Sequence, residues 1–199
     1  MRLLAVGLVL LFIVGCKPKE KKIVDYNGKY VEYIERNEIW LEGDIKISLT
    51  IENGAKVVYL IRHAEKDTVP KGNPILTKDG YDRSYRLAEI FKKTRLDAIY
   101  STLYNRTMHT VDSLCNAKGL PTKIYQPKNL RQLGNDISSS KELNKVMIAG
   151  HSNTTPAMAN VLMDYKILDK GFPESDYDNL LVVNMLPDGQ KKLYQLRFK

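Results

Sequence analysis

From Lys56 onward, short apolar runs alternate with amphipathic stretches of a dozen residues or more, and this alternation restricts the fold more than any other feature. "KVVYLI" (56–61), "DAIYS" (97–101) and "KVMIAG" (145–150) read as buried strands. "LTKDGYDRSYRLAEIFKKT" (76–94) reads as a helix capped by Thr77, with Tyr81, Tyr85, Ala88 and Phe91 at helical spacing. "YNRTMHTVDSLCNAKG" (104–119) reads as a helix with an apolar stripe of Tyr104, Met108, Val111 and Cys115, stopped by Gly119. "NTTPAMANVLMDY" (153–165) is a third helix, with Pro156 near its first turn, where proline is tolerated. "NLLVVNML" (179–186) and "KKLYQLRF" (191–198), joined by "PDGQ", read as an antiparallel pair at a sheet edge. The expected fold is α/β: a three-layer α/β/α sandwich with a mainly parallel sheet. Such folds bind ligands beyond the carboxyl ends of their strands.

That edge is where the charged residues fall. In "VVYLIRHAEKD" a buried strand runs straight into Arg62-His63. Gly150-His151 ends a second strand, and Arg106 follows the end of a third, in the first turn of its helix. Two histidines and two arginines therefore meet on one side of the sheet. The planar fork of arginine suits phosphate oxygens bidentately. Helix N-termini after Ser101 and His151 add backbone donors. A neutral, correctly oriented imidazole among such groups can attack phosphorus. Asn153, at a helix start, is placed either to donate to phosphate or to cap its helix. His109 lies off the apolar stripe, one turn after Arg106, and reads as a surface or rim residue.

The same residues carry a resemblance. "YLIRHAEKD" resembles the nucleophile motif of the histidine phosphatase superfamily, also called phosphoglycerate mutase-like. "IYSTLYNRTMHTV" resembles its second arginine segment, and "VMIAGHSNTTPAMANVL" the segment of its second histidine, in the family's order across 56–199. The resemblance implies that His63 is transiently phosphorylated, that Arg62, Arg106 and His151 clamp the phosphoryl group, and that no metal or other cofactor takes part. The usual Arg-His-Gly is here Arg62-His63-Ala64. His151 is followed by Ser152-Asn153 rather than by the acid of the acid phosphatase and phytase branch, and Gln132 stands where the mutase branch has its Glu. The general acid is left unassigned, with Glu65, Asp136, Glu174 and Asp176 as candidates. A site lacking a strong acid favours easily departing groups, or phosphoramidates such as phosphohistidine.

The N-terminus has a different logic. "MRLLAVGLVLLFIVGC" places Arg2 before an apolar run from Leu3 to Val14 and ends in Gly15-Cys16, the layout of a secretory signal over 1–15. "IVGC" resembles the lipobox of bacterial lipoproteins, which implies a lipid on Cys16; an uncleaved anchor with an incidental cysteine is the other reading. Both tether the domain to a membrane in the cell envelope, outside the cytoplasm. Residues 16–22 would form a lipidated, basic tether, and "KPKEKK" would contribute to the net charge of +8 and attract anionic headgroups or simply be solvated. Cys115 then has no partner and reads as a core thiol. Residues 23–55 read as short added strands with hairpin-like turns at Asn27-Gly28 and Asn53-Gly54.

With 27% charged and 43% hydrophobic residues the chain is globular rather than disordered, and no apolar run is long enough for an ordinary membrane span. No basic stripe with interleaved aromatics points to nucleic acid. The partners expected are a small phosphorylated substrate or a phosphoprotein, and a membrane through the lipid. The expected function is a metal-independent phosphohydrolase with a phosphohistidine intermediate, acting on a phosphomonoester or phosphoramidate. The alternatives are a tethered lipoprotein that binds an anionic ligand without turnover and, behind that, a phosphomutase.

Overall fold

The computed structural model describes residues 22–199. The elements run β1 (Lys22–Glu35), β2 (Glu38–Leu41), β3 (Ile45–Ser48), β4 (Lys56–Arg62), α1 (Lys78–Ile90), β5 (Ala98–Ser101), α2 (Asn105–Lys118) and β6 (Thr122–Ile124). After a 3-10 turn at Pro127–Asn129 come α3 (Leu130–Ser139), β7 (Lys145–Gly150), α4 (Thr154–Met163), β8 (Asn179–Met185) and β9 (Lys191–Arg197). The strands form one sheet in the order β3-β2-β1-β9-β8-β4-β7-β5-β6.

The sheet is mixed rather than mainly parallel. β4, β7, β5 and β6 pair in parallel, joined by crossover helices. β8 pairs antiparallel with both β4 and β9. β8 and β9 are antiparallel as expected but interior, because β1 adds in parallel outside β9 and carries the β1–β3 meander with it. That pairing spans the whole chain, and no local signal announces it. Asn27-Gly28 is no hairpin. β1 continues through an irregularity there, with Gly28 at φ +73, a backbone that glycine tolerates. Gly54, at φ +89, turns the chain into β4, which does not pair with β3.

Two apolar cores flank the sheet. One joins Leu87 and Phe91 of α1 and Val111 and Leu114 of α2 to Ile34, Ile39, Leu41 and Ile47 of the meander. The other packs Leu133 and Ile137 of α3 and Met158 and Leu162 of α4 on Val58, Leu60 and Ile148. Each such buried side chain stabilises by about 1.5–3 kcal/mol relative to exposure. β4 lies between both cores, so Lys56 to Arg62 are buried throughout.

The buried face of α1 differs from the expected stripe. Of that stripe Ala88 and, just past the helix, Phe91 are buried, alongside Gly80, Ser84 and Leu87, while Tyr81 and Tyr85 are exposed. Small residues occupy this face because the neighbouring backbone comes close: a Cβ on Gly80 would lie 2.2 Å from the Glu65 carbonyl oxygen. The Ser84 hydroxyl donates to the carbonyl of His109 on α2 at 2.9 Å. Thr77 caps α1 as expected, accepting from the Gly80 amide at 3.2 Å. Gly119 ends α2 in the left-handed region, and Cys115 is a free, buried thiol. Tyr104, placed by periodicity on the apolar stripe of α2, is exposed.

Candidate active site at the strand ends

In the β4–β7 ladder Arg62 stands opposite Gly150, so Arg62-His63 and Gly150-His151 leave the sheet side by side. The His63 amide donates to the Gly150 carbonyl at 2.9 Å and extends this pairing by one residue. β5 ends level with them, Ser101 opposite Ala149, and Arg106 follows as the second residue of α2. The structure therefore brings Arg62, His63, Arg106 and His151 together, as the sequence suggested.

His63 is 3% exposed. Its Nδ1 lies 2.8 Å from the Ala64 carbonyl oxygen. A carbonyl only accepts, so Nδ1 carries the proton and Nε2 keeps its lone pair. Burial, reinforced by the charges of Arg62 and Arg106, lowers the imidazole pKa to about 3, so the ring is neutral near neutral pH. The ring of His151 lies 5.6 Å away, edge to face. His151 Nδ1 lies 3.5 Å from Arg106 Nη2, a long contact in which only the guanidinium can donate. His151 Nε2 therefore bears the proton and donates to the Thr102 hydroxyl at 2.9 Å. Burial, followed by the charges of Arg106 and Arg62, lowers its pKa to about 4.

Arg62 is fully buried beneath the cleft floor. Its Nη1 donates to the carbonyls of Pro173, Glu174 and Asp176 at 2.8, 3.0 and 3.1 Å. Its Nη2 donates to Glu174 Oε2 at 2.8 Å, and its guanidinium lies 4.3 Å from the Tyr177 ring centre. Arg106 stacks on Tyr104 at 4.5 Å. Each arginine keeps a buried Nε without a partner. Orphaned buried donors are rare in folded proteins, and the one on Arg106, which lines the cleft, fits a site built to receive an anion.

The cleft, of about 480 Å³, is lined by His63, Lys66, Tyr104, Arg106, Pro127, His151, Ser152, Asn153, Thr154 and Glu174. Asn153 faces it from the start of α4 and makes no capping hydrogen bond. Thr154 Oγ1 accepts from the His151 amide at 2.9 Å instead. His109 lies elsewhere, stacked on Tyr81 at 5.8 Å. Gln132 is exposed on α3, donates to Asp136 Oδ1 at 2.7 Å and does not line the cleft. Glu65 accepts from Arg83 with both oxygens, at 2.7 to 3.1 Å, and Asp176 accepts from Arg197 at 2.6 Å. Of the four acid candidates only Glu174 reaches the cleft. Among the described residues no cluster of histidine, cysteine and carboxylate side chains could hold a metal ion.

The sequence reading missed Thr102, which orients His151, and the 173–178 segment, which clasps Arg62. That segment acts mainly through backbone carbonyls, which every residue has, so its sequence carried no signal.

Known proteins resemble this chain in sequence over one segment and in fold. The model of the histidine phosphatase superfamily (branch 1) matches residues 58–136, a span holding Arg62, His63 and Arg106. No curated protein sequence matches the chain. Among solved structures, a mycobacterial glucosyl-3-phosphoglycerate phosphatase has a TM-score of 0.56 at 12% identity, covering 73% of this chain and 100% of its own. The protein histidine phosphatase SixA, solved with tungstate, has a TM-score of 0.53 at 15% identity, over 71% of this chain and 96% of its own. An Agrobacterium tumefaciens protein described as a SixA-type phosphohistidine phosphatase has a TM-score of 0.51 at 22% identity, over 65% and 92%. These likenesses bear on the fold, while the match to the histidine phosphatase superfamily (branch 1) bears on the segment that carries Arg62, His63 and Arg106.

Proposed function

We propose that this chain is an enzyme of the histidine phosphatase superfamily, a phosphohydrolase working through a phosphohistidine at His63, without a metal. The observation that carries the reading is the free Nε2 of His63, held neutral among cationic groups by the Nδ1 bond to Ala64. A protein that only bound anions would have no need of it. The Nε2 lone pair attacks phosphorus, the bond to the leaving group breaks, and the leaving group takes the electron pair. Arg106, positioned beside His151, and, from below, Arg62 offset the charge on the equatorial oxygens.

The favoured substrate is a phosphoramidate such as phosphohistidine, or a phosphomonoester with an easily departing alcohol. No neutral carboxylic acid is at hand to protonate a poor leaving group. Glu174, the one carboxyl group on the cleft among the described residues, is held below the usual carboxylate range by the Ser152 hydroxyl and the Arg62 charge. A phosphohistidine protonated on its other ring nitrogen departs as neutral imidazole and needs no such acid. The SixA proteins that share the fold are described as acting on this substrate class.

We also place the enzyme in the cell envelope, tethered through Cys16, which lies outside the described residues. Lys22 pairs with Lys192, Lys192 with Asn184 and Asn184 with Val57. The chain thus enters the sheet level with the start of β4, about 16 Å below the strand end at ~3.3 Å per residue. A tether at that edge holds the cleft away from the bilayer, so its substrate comes from the aqueous side. The test of the function is rapid mixing with phosphohistidine or p-nitrophenyl phosphate, followed by a search for acid-labile, base-stable phosphate on the protein. Turnover with no such label would refute the phosphohistidine route.

A further inference from the structure

Hydrolysis of a phosphohistidine needs a group to take the proton of the attacking water, and most groups lining the cleft are unable to do so. His63 is the leaving group: its Nε2 is bonded to phosphorus until the N–P bond breaks and its Nδ1 keeps its proton on Ala64, so neither nitrogen is free when water attacks. Both nitrogens of His151 are engaged, with Arg106 and Thr102. Lys66 and Arg106 are cations; Tyr104, Ser152 and Thr154 offer hydroxyls and Asn153 an amide, none a base near neutral pH.

Glu174 is different. It sits between the two histidine-bearing segments, held by the neighbour of each histidine. The Ser152 hydroxyl donates to its Oε1 at 2.9 Å, and Arg62 Nη2 donates to its Oε2 at 2.8 Å. Each carboxylate oxygen has a second lone pair beyond these contacts. The side chain is 74% exposed, so a proton taken from the cleft has a path to solvent.

We propose that Glu174 is the catalytic base of the dephosphorylation half-reaction, a role that rests on the phosphohistidine reading above. A water oxygen attacks phosphorus on phosphorylated His63 and the N–P bond breaks. Its electron pair returns to Nε2, the water proton passes to Glu174, and inorganic phosphate leaves. Glu174 then releases its proton to solvent. In the first half-reaction it has no proton to transfer when the leaving group departs unaided.

The test uses p-nitrophenyl phosphate, whose leaving group needs no acid, with the full chain. Glu174→Gln keeps the size and hydrogen-bonding capacity of the side chain but removes the base. Nitrophenolate should appear in a burst of one equivalent per site, followed by a steady rate about 100-fold or more below that of the wild type, within the range of base catalysis. Labelled phosphate should accumulate on His63. Ser152→Ala, which frees Oε1, should shift the balance the same way by a smaller factor. Loss of the burst in Glu174→Gln would overturn the proposal, since the carboxylate would then act in the first step. Turnover faster than wild type would also overturn it, revealing Glu174 as a competitor for the phosphate seat. A wild type that turns over without ever carrying label refutes the phosphohistidine route itself, an outcome distinct from either.

Discussion

The Thr102 hydroxyl lies 2.9 Å from Nε2 of His151 and fixes the tautomer in which Nδ1 faces Arg106. Thr102 is itself buried on the segment just past β5, so it holds the ring from a rigid position. Thr102→Val should keep the packing and lose the orienting bond. We expect kcat to fall about tenfold, corresponding to about 1.4 kcal/mol, the scale of one hydrogen bond. An unchanged kcat with p-nitrophenyl phosphate would show that His151 needs no such partner.

The roles around the cleft separate by substitution. His63→Ala should abolish both turnover and covalent label, because the other imidazole on the cleft, His151, has its nitrogens directed at Thr102 and Arg106. Arg106→Ala should cost roughly 3–4 kcal/mol of transition-state stabilisation, by analogy with oxyanion donors. His109→Ala should change activity little, because its ring stacks on Tyr81 away from the cleft. If His109→Ala is as inactive as His63→Ala, the assignment is wrong.

The histidines also set a pH dependence of stability. His63 and His151 have folded pKa values of about 3 and about 4. Unfolded histidine titrates near 6.5. Below that value the unfolded chain binds protons that the folded protein refuses, so stability falls as the pH drops. The loss begins near pH 6.5 and continues until the folded pKa values are reached, close to 4 and 3. Urea midpoints measured at pH 7.5 and pH 5 should therefore drop less in a His63→Asn/His151→Asn double variant than in the wild type. Equal drops would mean that these rings are not held neutral.

Much of the site was legible because its determinants are local. A seven-residue buried strand ending in Arg-His, the Thr77 cap, the Gly119 stop and β7 could all be read from neighbouring residues. What was not legible depends on contacts distant in sequence. β1 joins β9 across nearly the whole described chain, Lys22 beside Lys192. On α1, Ala88 and Phe91 are buried as their spacing suggests, but Tyr81 and Tyr85 carry an apolar signal and are exposed, while Gly80 and Ser84 are buried for lack of bulk. Arg62 gave no hint of its carbonyl partners, 111 to 114 residues away.

The proposed lipid on Cys16 can be tested by substitution. Cys16→Ser should leave the protein without lipid and with its N-terminal segment uncleaved by the lipoprotein route, as read by mass spectrometry of the membrane fraction. Because β1 enters the sheet at the edge opposite the cleft, the turnover of soluble phosphohistidine should be the same for tethered and untethered forms. A wild type without lipid would refute the anchor, and a large difference in turnover would refute the orientation.

Gly150 is the residue on which the two halves of the site lean. A Cβ there would lie 2.9 Å from both Thr154 Oγ1 and the Tyr125 hydroxyl, and 3.1 Å from Thr155 Oγ1. None of the three can give way freely. Thr154 Oγ1 accepts from the His151 amide, the Tyr125 hydroxyl donates to the Ala149 carbonyl, and Thr155 Oγ1 donates to the Ile61 carbonyl. One added methyl therefore pushes on the start of α4 and on the ends of β4 and β7 together. Gly150→Ala should destabilise by about 1–3 kcal/mol, the usual cost of overpacking. It should also lower kcat by more than it raises KM, since it displaces the segment that carries His151. A variant as stable and as active as the wild type would show that the strand ends tolerate a side chain here, and that His151 is held by something other than this close packing.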